Sequence, residues 1–301
     1  MPGRLFMDVS RRFPGGQVSV TIGVNHVATI RCGGSRTTLT VRPADQFPRL
    51  GEVEEKKSVT LPQPIIRDMI LRTAFAVSTD EARKILTGCL FELRDGEARM
   101  VALDGFRLAV ASARVDDIDS QISAVIPGRL LSELGKILSG GDEDTAKITF
   151  SDSQILISFG DVRLYATLLE GEYIDYRRII PASAGTVVRV LDREQMSLCV
   201  DRASLMAREG KSNLIKLHIA PDMLTITSNA EMGDIYEEVQ TDTQGSELDI
   251  AFNVKYVSDV LKVIDDDEFI MKFNTAVSPC VISPVDEKGY IYMVLPVRVN
   301  A

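Results

Sequence analysis

The sequence predicts an α+β protein made of repeated modules, in which short amphipathic helices alternate with antiparallel strands. Three observations predict it. A pair of basic residues seven positions apart occurs three times, at Arg4/Arg11, Arg129/Lys136 and Lys255/Lys262, with successive pairs offset by 125 and 126 residues. Three short β-rich runs follow each pair. Hydrophobic residues make up 45% of the 301 positions and charged residues 26%, enough apolar side chains to fill several cores. At roughly 100–200 residues per domain, the length admits two or three domains.

The elements follow in order. Pro2-Gly3-Arg4 opens a helix containing Leu5, Phe6 and Val9. A spacing of seven is two helical turns, so both cations of each pair share a face. Val18–Ile22, Val27–Cys32 and Thr37–Val41 then read as strands, bounded by Gly, Asn and Ser. Arg42–Lys57 carries two prolines and several charges and reads as a linker. Lys57–Leu61 is a strand, and Gln63–Phe75 a helix with Ile65, Ile66, Met69, Ile70 and Leu71 apolar. Strands Gly88–Glu92, Arg99–Leu103 and Arg107–Ala113 follow. Pro127-Gly128-Arg129 opens the next helix, with Leu130, Leu131 and Leu134, ahead of strands Ala146–Phe150, Ile155–Phe159 and Val162–Leu168. Ile179–Gly185 is a second linker. Thr186–Val190, the helix Asp192–Met206 and strands Leu214–Ile219, Met223–Ser228 and Tyr236–Thr241 come next. Asn253 opens the last helix, with Val257, Val260 and Leu261, before strands Phe269–Phe273, Cys280–Ile282 and Tyr290–Leu295. A full unit is therefore two copies of strand–helix–strands, about 125 residues, and the chain begins part-way through one. The expected domains are 1–55, a second half-unit only, then 56–181 and 182–301.

A formal charge of −9 argues against a nucleic-acid binder, unless positive charge is concentrated locally. It is: the five predicted helices carry a net +5, which leaves −14 elsewhere. If the helices share one face, that face attracts a polyanion that the rest of the surface repels. The candidate phosphate-facing residues are Arg4, Arg11, Arg67, Arg72, Arg83, Lys84, Arg129, Lys136, Arg193, Arg202, Lys255 and Lys262. The bland alternative is a set of ordinary solvated helix faces. Aromatic residues are only 6% with no Trp, which disfavours stacking on single-stranded bases and favours the duplex backbone, held without reading sequence.

Other classes find little support. No apolar run reaches the ~18 residues of a membrane span, and Met1–Gly16 lacks the apolar block of a secretory signal, so a non-exported, cytoplasmic protein is expected. Cys32, Cys89, Cys199 and Cys280 are scattered and read as buried free thiols. His26 and His218 have no evident catalytic partners nearby, and Asp265-Asp266-Asp267-Glu268 reads as a solvated turn. No enzyme, metal or cofactor is expected.

Longer motifs narrow the field. Leu103-Asp104-Gly105-Phe106-Arg107-Leu108-Ala109, Glu170–Pro181 (EGEYIDYRRIIP), Phe252-Asn253-Val254-Lys255-Tyr256 and Tyr292-Met293-Val294-Leu295-Pro296-Val297-Arg298 together resemble the bacterial DNA polymerase III β subunit family, the sliding clamps. The resemblance runs along essentially the whole chain. It implies three similar domains per subunit with helices on the inner face and antiparallel sheets outside, two subunits closing head-to-tail around duplex DNA, and processivity without chemistry. It also implies that the first domain here lacks its N-terminal half. The surviving half would meet the partner's third domain, around the position of Leu205, Met206 and Ala207, and dimerisation is expected to be retained but weakened. A partner-peptide groove, serving the replicative polymerase, clamp loader and repair proteins, is implied at Leu86, Leu103, Gly105, Phe106, Arg107, Leu108, Ile174, Arg178 and Ile179 on one side. On the other side stand Asn253, Tyr256, Met293, Leu295, Pro296, Val297 and Arg298. Leu103 and Phe106 stand where the family often has Thr and His, Ile174 where it often has Pro, and Val297 for a frequent Met. A more apolar groove is therefore expected, with Asn300 and Ala301 at its rim. The alternative function is a scaffold that keeps the groove but does not close around DNA.

Overall fold

A helix followed by a three-stranded antiparallel meander is the repeating element, and it occurs five times among the described residues. These are residues 1–46, 53–115, 121–141, 143–210 and 212–298 of a computed structural model. Asn300 and Ala301 lie outside them. The chain forms two units, Met1–Glu52 and Val53–Ala301.

The first unit holds α1 (Gly3–Ser10) and the sheet β1 (Val18–Ile22), β2 (Val27–Cys32), β3 (Ser35–Thr40), paired in that order. Ala28, Ile30, Cys32 and Leu39 are its buried side chains on the sheet.

In the second unit a strand precedes each helix. The four repeats are β4 (Lys57–Pro62), α2 (Gln63–Thr73), β5 (Gly88–Arg94), β6 (Glu97–Leu103) and β7 (Arg107–Arg114); then β8 (Ile122–Pro127), α3 (Gly128–Ile137), β9 (Thr145–Phe150), β10 (Gln154–Phe159) and β11 (Val162–Thr167). Next come β12 (Thr186–Val190), α4 (Arg193–Glu209), β13 (Leu214–Ile219), β14 (Met223–Ala230) and β15 (Gly233–Gly245); and finally β16 (Leu248–Asn253), α5 (Val254–Leu261), β17 (Phe269–Phe273), β18 (Cys280–Pro284) and β19 (Tyr290–Val294). Each strand that precedes a helix pairs with the meander of the neighbouring repeat, β4 with β9 and β8 with β5, β12 with β17 and β16 with β13, and β12 pairs with β15 of its own meander as well. β19 pairs with β7 in the register Met293–Leu108, which makes one twelve-stranded sheet beside a four-stranded one.

The helices form where the apolar period is helical. α5 buries Val254, Val257, Val260 and Leu261 and leaves Lys255 exposed. Burying such side chains is worth about 1.5–3 kcal/mol each, which outweighs the modest helix propensity of valine. Asn253 caps α5 by accepting from Lys255 N (3.0 Å), and Asp192 caps α4 by accepting from Gln195 N (2.8 Å). All four helices contribute to one apolar cluster on one side of the twelve-stranded sheet, with Ala102, Ala109 and Tyr292. The alternate residues Leu103, Leu108 and Met293 form a second cluster on the opposite side, to which no α-helix contributes.

Two strands escape the sequence reading, β8 and β16. Both run directly into a helix without a turn. The Asp265–Glu268 run is exposed at Asp265, Asp266 and Asp267, as expected of a solvated turn. It turns from α5 into β17, but Asp265 pairs with Arg72 (3.1 Å), Asp266 accepts from Tyr290 OH (2.8 Å) and Glu268 from Arg189 Nε (2.7 Å).

All four cysteines are free and buried, and burial pushes the Cys89 thiol up to about 12. The native protein is expected to resist a maleimide at pH 8 and to react fully once unfolded in urea. Rapid native labelling at Cys89 would contradict the packing.

Candidate functional site

Two surfaces on opposite sides of the twelve-stranded sheet carry the candidate residues of the second unit. On the helix side, Arg67, Arg129, Lys136, Lys255 and Lys262 are exposed. Lys136 pairs with Glu133 on its own helix (2.9 Å). Such exposed pairs are worth ~0–1 kcal/mol and exchange readily for another anion. Arg202 is forked onto Glu237, with both contacts at 2.7 Å, and that partner holds the carboxylate below its usual range. Arg193 opens α4 and is half-buried. In the first unit Arg4 and Arg11 are exposed.

Two of the twelve cations are placed otherwise than expected. Arg72 is only 16% exposed, held by Asp68 (2.8 Å) and Asp265 (3.1 Å) with its guanidinium 5.1 Å from the Tyr290 ring centroid; it is a structural cation rather than a phosphate ligand. Arg83 lies in the 3-10 stretch Glu81–Thr87, which it shares with the exposed Lys84, and donates to the carbonyl of Asp104 (3.1 Å) at the β6–β7 turn. The same stretch sends Leu86 into the second cluster, away from the helices.

On that second side, Leu86, Leu103, Leu108 and Met293 form a nearly buried apolar floor, joined by Tyr176. Above the β6–β7 turn, Phe106 is 54% exposed and stacks on Tyr256, with centroids 5.9 Å apart and planes at 17°. The carboxylate of Asp104 shapes the turn, accepting from Phe106 N (2.8 Å) and Arg107 N (3.0 Å). Gly105 has φ +93°, which a side chain would strain. Leu295 N donates to Phe106 O (2.8 Å) and Val297 N to Ala251 O (2.8 Å), so the segment of Leu295, Pro296 and Val297 is tied to both flanking elements. Ile174 and Ile179 are exposed, as is Arg178, which pairs with Asp175 (3.0 Å). Arg298 is exposed as well.

Two predicted groove side chains have other work. Arg107 is 7% exposed. It donates to Asp104 Oδ2 (3.0 Å), Asp259 Oδ2 (2.6 Å) and Phe75 O (2.6 Å), and lies between the rings of Phe75 and Tyr256 at 5.2 and 4.8 Å. It bolts the β6–β7 turn to α5 and has little capacity left for a peptide. Asn253 spends its side-chain oxygen on the α5 cap.

The profile of the DNA polymerase III beta subunit central domain matches residues 60–175, and that of its C-terminal domain residues 177–298. A beta sliding clamp of Staphylococcus epidermidis is 36% identical over 300 residues, covering 99% of this chain and 79% of that protein. The chain belongs to the DNA polymerase III β subunit family. Among solved structures, the DNA polymerase sliding clamp of Bacillus subtilis superposes with a TM-score of 0.91 at 33% identity, covering 99% of this chain and 79% of its own. A putative β subunit of Eubacterium rectale gives 0.92 at 27% identity, covering 100% and 81%.

This β-subunit chain also shows residues that the sequence reading passed over. Tyr173 and Tyr176 pack on the groove floor, and burial, the larger cause, with the nearby Glu92 carboxylate raises the Tyr176 hydroxyl. Asp259 and Phe75 complete the Arg107 bolt. Asp104, three residues before Arg107, was the one local signal for it. Two clefts open on the same side. One of about 850 Å³ lies among Arg99, Tyr176, Ile180 and Tyr290, and one of about 640 Å³ among Leu90, Leu169 and Ile174. Of the predicted groove residues only Ile174 lines either cleft. Among the described residues no group of His, Cys, Asp and Glu side chains could hold a metal ion, and no helix is long and apolar enough to cross a membrane.

Proposed function

We propose that this chain is a sliding-clamp subunit of the cytoplasm: two copies close head-to-tail around duplex DNA, and the ring tethers the replicative polymerase, clamp loader and repair proteins through short peptides. The domain boundaries at 55/56 and 181/182 belong to the same reading. The observation that carries it is the division of labour across the twelve-stranded sheet. Exposed cations stand on the helix side and an apolar floor with aromatic cover on the other. Phosphate contacts that read no bases suit a protein that must slide. An apolar floor with few fixed polar groups suits a peptide anchor. Retention comes from topology, so the contacts themselves can be weak and no bond is made or broken.

Gel filtration on nicked circular and linear DNA of equal length, after loading by a clamp loader, tests the reading. Retention on the circle with loss from the linear form is expected. Equal loss from both would overturn ring closure and leave the scaffold that keeps only the groove.

A further inference from the structure

The larger cleft on the second side of the sheet, about 850 Å³, is not used by that reading, since none of the predicted groove residues lines it. Its volume is that of a ligand pocket. Tyr176, Ile180, Pro181 and Ala182 wall it, and β6, β7 and β19 supply its floor.

The strand register makes that floor amphipathic. Val110 and Ile291 stand side by side on β7 and β19 and pack with the second apolar cluster. Two residues further along β7 comes Ser112, paired with Arg99, and two further still Arg114, paired with Glu97. At ~3.4 Å per residue these rows lie ~7 and ~14 Å beyond the apolar one. Ser112 N donates to the carbonyl of Gly289 (2.7 Å), which brings the neighbouring Lys288 to the same end.

That end is cationic. Arg99, Arg114, Arg177 and Lys288 line the cleft against three carboxylates. Glu97 binds Arg99 within it (2.6 Å), whereas Asp95 and Glu287 are neutralised by Arg94 and Lys272, which stand outside the lining. Arg177 lies over the Tyr176 ring, 4.5 Å from its centroid, and shares Glu92 (2.7 Å). Lys288 is exposed and has no ion pair among the described residues. A positive basin beside an apolar step is therefore set into a chain whose net charge is −9.

We propose that this cleft binds an acidic peptide segment of a partner protein. One bulky apolar side chain rests on Val110, Ile180 and Ile291, and carboxylates roughly two to four residues away in an extended peptide meet Arg99, Arg114 and Lys288. A lone inorganic anion would leave the apolar row uncovered, and a purely apolar ligand would leave the cations unmatched. The cleft shares no residue with the predicted groove, so it goes beyond the tether reading and does not depend on it.

Phage display of random dodecapeptides on the full chain tests it, with the selected peptides then labelled for fluorescence anisotropy. Acidic sequences with an apolar residue are expected, and their binding should weaken as salt rises. Lys288→Glu should weaken it roughly tenfold, as an attraction becomes a repulsion. Ala182→Trp, which fills the cleft from its rim, should abolish it. Both native side chains are exposed, so the fold is not at stake. Selected peptides that bind both variants as tightly as the wild type overturn the proposal. So do peptides that lose binding only with Phe106→Ala, which places them in the groove, and acidic sequences without an apolar residue. Failure of the clamp to stay on circular DNA would leave the proposal standing.

Discussion

Replacing Arg107 with alanine is expected to destabilise the unit Val53–Ala301 by about 3 to 5 kcal/mol, the range for breaking a buried ion pair by removing one partner. The guanidinium satisfies two carboxylates and the Phe75 carbonyl and fills the space between two rings. Its removal leaves Asp104 and Asp259, both mostly buried, facing each other without a cation. Arg107→Lys is expected to recover only part of the loss, because an ammonium cannot make the planar fork or the double stacking. Asp259→Asn, which keeps the shape but weakens one contact, should cost about 2 kcal/mol. Urea unfolding checks all three: the midpoint should fall in the order Ala, Lys, Asn with an unchanged slope. A midpoint for Arg107→Ala within error of the wild type would mean that the bolt bears no load and that the guanidinium is free for a peptide after all.

The bolt also shows where sequence reasoning stops. Arg107 was legible as a groove residue through the motif around it, and Asp104 lies three positions away, within local reach. Asp259 is 152 residues distant and Phe75 is 32. Only the β7–β19 pairing brings α5 against the β6–β7 turn. The helices were legible for the opposite reason, since the 3.6-residue period places Arg129 and Lys136, or Lys255 and Lys262, on one face with no help from tertiary structure. Strands β6, β7 and β19 are buried on both faces. Their sequences therefore could not tell Leu103 and Leu108, which floor the groove, from Ala102 and Ala109, which meet the helices. Arg72 was misplaced because its captor, Asp265, sits in a run that reads as solvent-facing.

The cations that remain exposed on the helices carry the second large effect. Replacing Arg129, Lys136, Lys255 and Lys262 together with alanine is expected to weaken duplex binding and flatten its salt dependence. Each phosphate contact contributes about 0.9 to the slope of log K against log salt. Loss of four contacts therefore lowers the slope by about 3 to 4, and the fall in affinity should be greatest at low salt, where screening is least. The four side chains are exposed, so the fold should survive, with stability within about 0.5 kcal/mol of the wild type. Arg72→Ala provides the contrast. That guanidinium is already committed to two carboxylates, so its removal should lower the urea midpoint and leave the salt slope alone. Fluorescence anisotropy with a labelled duplex over a salt series distinguishes the two variants. A quadruple variant with the wild-type slope would show that these cations do not face phosphate, and the DNA-encircling reading would lose its electrostatic basis.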